Sequence, residues 1–197
     1  GIRKTASQDF RYAGELGYTI KLLAVAQANR ESGLLARVHP ALIPLAVPMA
    51  SVNGVLNAVE VEGDLVGPLW FQGPGAGPNP TASAVMGDVL RIAKNQASGA
   101  SSNESPAPFE IASMSDHTCQ YYLRLTASDK PGVLANVARV LGDADISINS
   151  VLQKDTDIEN GHADLVIMTH PALENNMQSA VRSIKELDTV LQLDSLL

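Results

Sequence analysis

Apolar residues along positions 18–28 spare neither side of an extended segment. Ile20, Leu22, Ala24 and Ala26 alternate with Lys21, Leu23, Val25 and Gln27. A strand written this way is covered on both faces, in a sheet interior or at a subunit contact. Ahead of it, residues 7–16 suit a short helix with Phe10, Ala13 and Leu16 on one side, stopped by Gly17. Residues 34–39 read as a second strand ended by Pro40, and Pro44 and Pro48 then enforce an irregular excursion. Residues 55–62 and 65–71 form a hairpin turned by Gly63-Asp64. Ala82, Val85, Met86, Val89 and Ala93 share one stripe of a helix over about residues 81–96.

The last third of the chain changes pattern. Residues 120–127 put Tyr121, Leu123 and Leu125 on one strand face, and Leu134, Val137, Ala138 and Leu141 follow at helical spacing. Ile146, Ile148 and Leu152 mark a second strand. Asn160-Gly161 is a strong hairpin turn into a third, residues 162–169, with Ala163, Leu165 and Ile167 on one face. Leu173, Met177, Ala180, Val181 and Ile184 make a second helix, and residues 190–193 a last strand. This is a βαββαβ domain with two helices on one sheet face, a core just adequate for about 75 residues. The opposite face and the edges are expected to be free for pairing with a second copy. Between the two regions, residues 98–115 are rich in Ser, Ala, Gly and Pro, as a linker is. The expected organisation is an α+β chain: a first domain over 1–97 with a mixed or antiparallel sheet, a linker over 98–116, and the βαββαβ domain over 117–197.

A net charge of −7 with no run of Lys or Arg argues against a nucleic-acid partner. No apolar run approaches the roughly 20 residues of a membrane span. The single cysteine, Cys119, forbids an intramolecular disulfide and fits a reducing cytoplasm. It reads as a small, half-buried residue at the start of a strand. His39, His117, His162 and His170 lie at no recognised ligand spacing, so no metal site is expected. There is no nucleophile elbow and no phosphate-binding loop of the Walker type. Asp9, Glu15, Glu60, Glu62 and Asp64 are scattered without an evident partner, and no catalytic residue is nominated.

Two local features carry chemistry. Gly73-Pro74-Gly75-Ala76-Gly77 lets backbone approach a ligand closely and feeds a helix start at Pro80-Thr81, where free N–H groups favour negative charge. It departs from the dinucleotide fingerprint at Pro78, and a plain strand-to-helix turn is the competing reading. In Asp129-Lys130-Pro131-Gly132, Pro131 suits the first turn of a helix. The N–H groups of that turn could hold a carboxylate and Asp129 an ammonium, which are the two charges of an amino acid. Simple helix capping is the alternative. Lys21 interrupts an apolar strand as an edge or snorkelling lysine would. Arg91 and Lys94 read as the solvated face of their helix.

Several runs together resemble bacterial homoserine dehydrogenases: residues 16–24, Val38-His39-Pro40-Ala41-Leu42-Ile43-Pro44, residues 52–59, and residues 73–85 followed by Asp88. The tail, with residues 129–135 and Ile146-Ser147-Ile148, resembles an ACT domain, a regulatory module. Where many members of the family carry a histidine before Pro-Leu-Ala, this chain has Val47-Pro48-Met49-Ala50. The resemblance implies oxidoreduction between L-homoserine and L-aspartate 4-semialdehyde with NAD or NADP, a step toward threonine and methionine. It also implies that the nucleotide-binding strand and the catalytic Asp and Lys lie upstream of Gly1. The chain is therefore expected to be the C-terminal part of the enzyme, inactive alone and binding no cofactor by itself. Carried over from the family, Gly75, Ala76, Gly77 and Thr81 would lie against the cofactor, with the helix after Thr81 packing on the nucleotide domain. Asp129, Gly132, Val133, Leu134, Ser147 and Asn149 would bind an allosteric amino acid, with threonine expected as feedback inhibitor. The resemblance further implies a cytoplasmic homo-oligomer, a dimer or tetramer joined through the catalytic sheet and through ACT pairing. A free-standing amino-acid-binding regulator and a structural dimerisation module are the competing readings, and neither needs the run 73–85.

Overall fold

The computed structural model describes residues 2, 5–29, 33–98, 110–157 and 161–197. Asp9 helps open the first helix, α1 (Ser7–Glu15), its Oδ2 accepting the Ala6 N–H at 2.7 Å. Gly17 at φ +83 turns the chain into β1 (Tyr18–Asn29), which pairs antiparallel with β2 (Gly33–Pro44) from Tyr18↔Pro44 to Asn29↔Gly33. β2 therefore runs through Pro40 instead of ending there. Pro40 sits opposite Leu22, in an edge strand of a two-stranded sheet, where a missing N–H is tolerated.

After a short 3-10 turn at Pro48–Ser51 come β3 (Leu56–Gly63) and β4 (Gly67–Pro74). Their register places Gly63 opposite Gly67, so the turn holds Asp64, Leu65 and Val66. It is one residue longer than the expected two-residue turn. Gly67, at φ +72, supplies the left-handed position that such a loop requires. The next helix, α2 (Pro78–Ser98), starts earlier than its apolar stripe suggests. Pro78 and Pro80 fit its first turn, where no backbone donor is needed.

The C-terminal elements are β5 (Thr118–Cys119), β6 (Tyr122–Ser128), α3 (Val133–Asp143), β7 (Ile148–Asp157), β8 (His162–Thr169), β9 (Ala172–Leu173), α4 (Glu174–Lys185) and β10 (Val190–Leu196). Four of the strands form an antiparallel sheet in the order β10-β6-β8-β7, and the small β5–β9 pair is an addition the sequence pattern did not reveal. Asn160 lies outside the described residues; Gly161 takes φ +64. One sheet face meets both helices in a core that includes Leu123, Leu125, Ile167, Val137, Leu141, Met177 and Ile184.

The other face is where the structure departs most from expectation. It is covered by the chain itself, not free for a second copy. Tyr122, Val166 and Met168 pack with Tyr12 of α1, joined by Leu16, Tyr18 and Leu42. The expected apolar side of α1 is also revised. Asp9, Tyr12 and Ala13 are buried, whereas Phe10 is exposed. By contacts the chain divides into Gly1–Pro44 with Phe109–Leu197, and Leu45–Pro108, a division that runs across the expected 1–97 block. Residues 99–109 of the expected linker lie outside the described residues. Beyond them, Leu34 forms a parallel bridge with Ile111, its N–H donating to the Glu110 carbonyl at 2.7 Å.

The second unit is unlike the first. Among its described residues none is buried. Val85, Met86, Val89, Leu90 and Ile92 of α2, and Val59 and Phe71 of the β3–β4 hairpin, are all exposed.

Candidate functional site

In the second unit the glycine loop is tied down at one end and open at the other. Gly73 and Pro74 still belong to β4, opposite Asn57 and Leu56. The Gly75 N–H donates to the Val55 carbonyl at 2.7 Å. A Cβ on Gly75 would meet the exposed Asn57 side chain, which would have to swing aside. Gly77 is different. It sits at φ +118 with only Pro80 nearby, and its carbonyl accepts the Thr81 N–H at 3.2 Å, starting α2. Gly75, Ala76, Gly77 and Thr81 are exposed and adjoin the start of a long helix, but Pro78 and Pro80 have no N–H and the Thr81 N–H is taken by Gly77, so the expected free N–H groups are largely absent there. Arg91 pairs with Asp88 at 3.0 Å on the exposed face of that helix.

In the first unit a cavity of about 360 Å³ lies at the start of α3. Gly132, at φ +91, caps the helix in a left-handed conformation, so α3 begins at Val133, and Pro131 precedes it instead of occupying its first turn. Asp129, Gly132, Val133 and Leu134 line the cavity together with Lys130 and Gln153. Gln153, on edge strand β7, donates its amide to Asp129 Oδ1 at 3.0 Å. Ser147 and Asn149 do not line it; the Ser147 carbonyl instead accepts the His170 N–H at 2.9 Å. The cavity thus collects a carboxylate, a lysine and a helix start, with apolar walls from Ala163 and Leu165. That set matches a zwitterion with a short side chain.

A third cluster joins α1 to the sheet. Arg124 Nε donates to Asp9 Oδ1 at 2.7 Å, and the Tyr122 hydroxyl donates to the same oxygen at 3.1 Å. Asp194 and Asp164 approach the Arg124 guanidinium at 3.5 and 3.9 Å. The Tyr12 hydroxyl donates to Asp164 at 2.8 Å. The Asp9 side chain is 0% exposed and that of Arg124 7%. Burial alone would make Arg124 easier to deprotonate. The bond to Asp9 and the charges of Asp9, Asp194 and Asp164 outweigh it and hold its pKa above the ordinary value. Burial and the Asp9 charge push the Tyr122 phenol upward, so it stays protonated and donates. Lys154 adds an ion pair to Glu15 of α1 at 2.8 Å.

A model of the homoserine dehydrogenase family matches residues 1–90, and a model of the ACT domain matches residues 121–189. Residues 1–90 belong to the homoserine dehydrogenase family and residues 121–189 to the ACT domain family. The whole chain is similar to curated homoserine dehydrogenases. It is 40% identical over 198 residues to that of Pseudomonas aeruginosa, which covers 96% of this chain and 45% of the relative. To that of Corynebacterium glutamicum it is 38% identical over 203 residues, 100% of this chain and 45% of the relative. The crystal structure of a homoserine dehydrogenase from Thiobacillus denitrificans is 39% identical with a TM-score of 0.86, over 100% of this chain and 46% of that one. The chain spans somewhat under half the length of these relatives.

Within the ACT region, Arg124 escaped the sequence reading because a lone arginine in an apolar strand looks like a solvated edge residue. Its alternation with Tyr122 on the face away from the helices was the available signal. Asp9 shows no partner in the sequence because Arg124 lies 115 positions away. No helix among the described residues is long and apolar enough to cross a membrane, and none of their His, Cys, Asp and Glu form a cluster of three or more suited to a metal ion.

Proposed function

We propose that this chain supplies the rear of a homoserine dehydrogenase catalytic region together with an amino-acid sensor, and that oxidation of L-homoserine to L-aspartate 4-semialdehyde requires a nucleotide-binding portion in addition. The main support is that Leu45–Pro108 has no buried residue among those described, while α2 and the β3–β4 hairpin display apolar side chains. Such a surface is stable only when something covers it. The long relatives contain more than twice the matched length, enough for a nucleotide domain. NAD or NADP supplies the hydride acceptor in the full-length enzyme. The residues here fit one side of it: Gly77 offers open, left-handed backbone in an exposed loop. Their role is to exclude water and orient the cofactor, while the proton-transfer groups come from elsewhere. Alone, the chain is inactive. Mixing it with the N-terminal half of the Pseudomonas aeruginosa relative is expected to yield homoserine-dependent reduction of NAD or NADP, and Gly77→Val to abolish it. Turnover by the chain alone, or full activity of Gly77→Val, would refute the assignment.

The cavity at the start of α3 is the site proposed for threonine. Asp129 takes the ammonium, the first-turn N–H groups of α3 and Lys130 take the carboxylate, and the short side chain meets Ala163 and Leu165. Because β7 is a sheet edge, a second copy can complete the site. A second contact between copies, through the exposed face of the β1–β2 hairpin with Leu22 and Val38, gives the expected dimer or tetramer of a cytoplasmic enzyme. Threonine acts as feedback inhibitor only if it binds the inhibited arrangement better. Calorimetry should show threonine binding with Asp129→Ala weakening it by tenfold or more, about 1.4 kcal/mol. No heat at millimolar threonine excludes this ligand.

A further inference from the structure

A second cavity in the first unit, of about 480 Å³, opens between the β1–β2 hairpin and the ACT region. It is large enough for a small molecule, and it shares no lining residue with the cavity at Asp129. One wall carries Arg37 and His39 from β2; the facing wall carries His117, Tyr121 and Glu174.

The hydrogen bonds leave a specific surplus. Arg37 Nε donates to His39 Nε2 at 2.9 Å. His39 Nε2 is therefore the acceptor, and Nδ1 carries the proton toward the Pro40 carbonyl at 3.0 Å. Both ring nitrogens of His39 are thereby satisfied. Arg37 Nη1 donates to Gln27 at 3.1 Å. Glu174 accepts the Tyr121 hydroxyl on one oxygen and the Gln178 amide on the other, both at 2.6 Å. The backbone of His117 is pinned at both ends, its N–H to Met114 and its carbonyl to the Glu174 N–H at 2.8 Å. Its Nε2 is nevertheless shielded from solvent with no hydrogen-bond partner. Leaving such a nitrogen unmet costs free energy unless a ligand meets it. Burial, then the Arg37 charge, lower the pKa of His117, which marks both groups as sharing one electrostatic environment. Leu23, Val25, Leu42 and Met168 supply apolar walls.

We propose that this cavity is a second ligand site, built for a small aliphatic carboxylate whose oxygens meet Arg37 and His117 while its tail lies on the β1 and β2 side chains. Glu174 keeps its negative charge although both its oxygens accept hydrogen bonds, so the ligand carboxylate lies toward Arg37, whose charge offsets it. The site bridges β1 and β2 of the homoserine dehydrogenase region and the ACT region, so occupancy ties the two together.

The test uses the 197-residue chain labelled with 15N-histidine and titrated with butanoate. The expected result is a saturable shift of the His117 and His39 signals, not of His162 and His170, with a dissociation constant on the order of 1 mM. Arg37→Gln should weaken binding by about tenfold or more, through loss of a charge-assisted bond. Val25→Phe, which fills the cavity and leaves the polar groups in place, should abolish it, and carries the test if Arg37→Gln does not fold. Asp129→Ala should leave it unchanged. Shifts that never saturate, that appear equally on all four histidines, that survive Val25→Phe, or that vanish with Asp129→Ala would each overturn the proposal. Loss of the shifts through Val25→Phe or Arg37→Gln leaves the threonine assignment untouched, whereas their loss through Asp129→Ala would place butanoate in the Asp129 cavity instead.

Discussion

Arg124→Met will lower stability by roughly 3–5 kcal/mol, a large share of what a domain of this size possesses. Three carboxylates lie around that guanidinium, and Asp9 is fully buried with it. Without the arginine, Asp9 keeps, among the described residues, the Tyr122 hydroxyl and the Ala6 N–H. Two hydrogen bonds do not offset the loss of hydration of a buried charge. Replacing both partners, Asp9→Leu with Arg124→Leu, removes the unpaired charge and should recover most of the loss, because a well-packed apolar pair is often as stable as a buried ion pair. Asp164 and Asp194 tolerate this change, since each retains a hydroxyl donor, Tyr12 or Thr126. Urea unfolding followed by circular dichroism measures both. An Arg124→Met midpoint within error of the parent would mean that water reaches Asp9 and that the cluster contributes little.

The same cluster shows how far the residue pattern carries. The four long strands and both helices of the ACT region follow from alternation and helical spacing, because its core is made of side chains close in sequence register: Leu123 and Leu125, then Leu165 and Ile167, then Met177 and Ile184. The β5–β9 pair was not legible, since two-residue strands have no period. Pro40 reads as a strand end because it lacks a donor, but β2 pairs with β1 alone in a two-stranded sheet, so the missing N–H is tolerated within the strand. The covered outer face was the larger omission. Tyr122, Val166 and Met168 announce an apolar surface, but a sequence does not say whether a second copy or the chain's own α1 will lie on it. The α3 cavity was partly legible: the Asp129-to-Leu134 turn is local, whereas Gln153 arrives from β7 through sheet pairing. Arg37, His117 and Glu174 meet through tertiary packing alone.

Ile167→Ala and Val89→Ala separate the two kinds of apolar pattern. Ile167 is 0% exposed on central strand β8, between Leu123 of β6 and Val151 of β7. Truncation removes methyl groups and leaves a cavity that the flanking strands cannot close, at a cost of about 2–5 kcal/mol. Val89 lies on an equally regular stripe, yet it is 50% exposed. Its truncation in the free chain should change stability by less than about 0.5 kcal/mol. Under the proposed function the effect of Val89→Ala should instead appear in reconstitution, as weaker assembly with the nucleotide-binding half, the contact proposed to cover the stripe. Thermal unfolding of both variants, at two protein concentrations, distinguishes the cases. A concentration-dependent loss for Val89→Ala would show that a second copy already covers α2, and the stripe would then belong to an oligomer contact and not to the nucleotide domain.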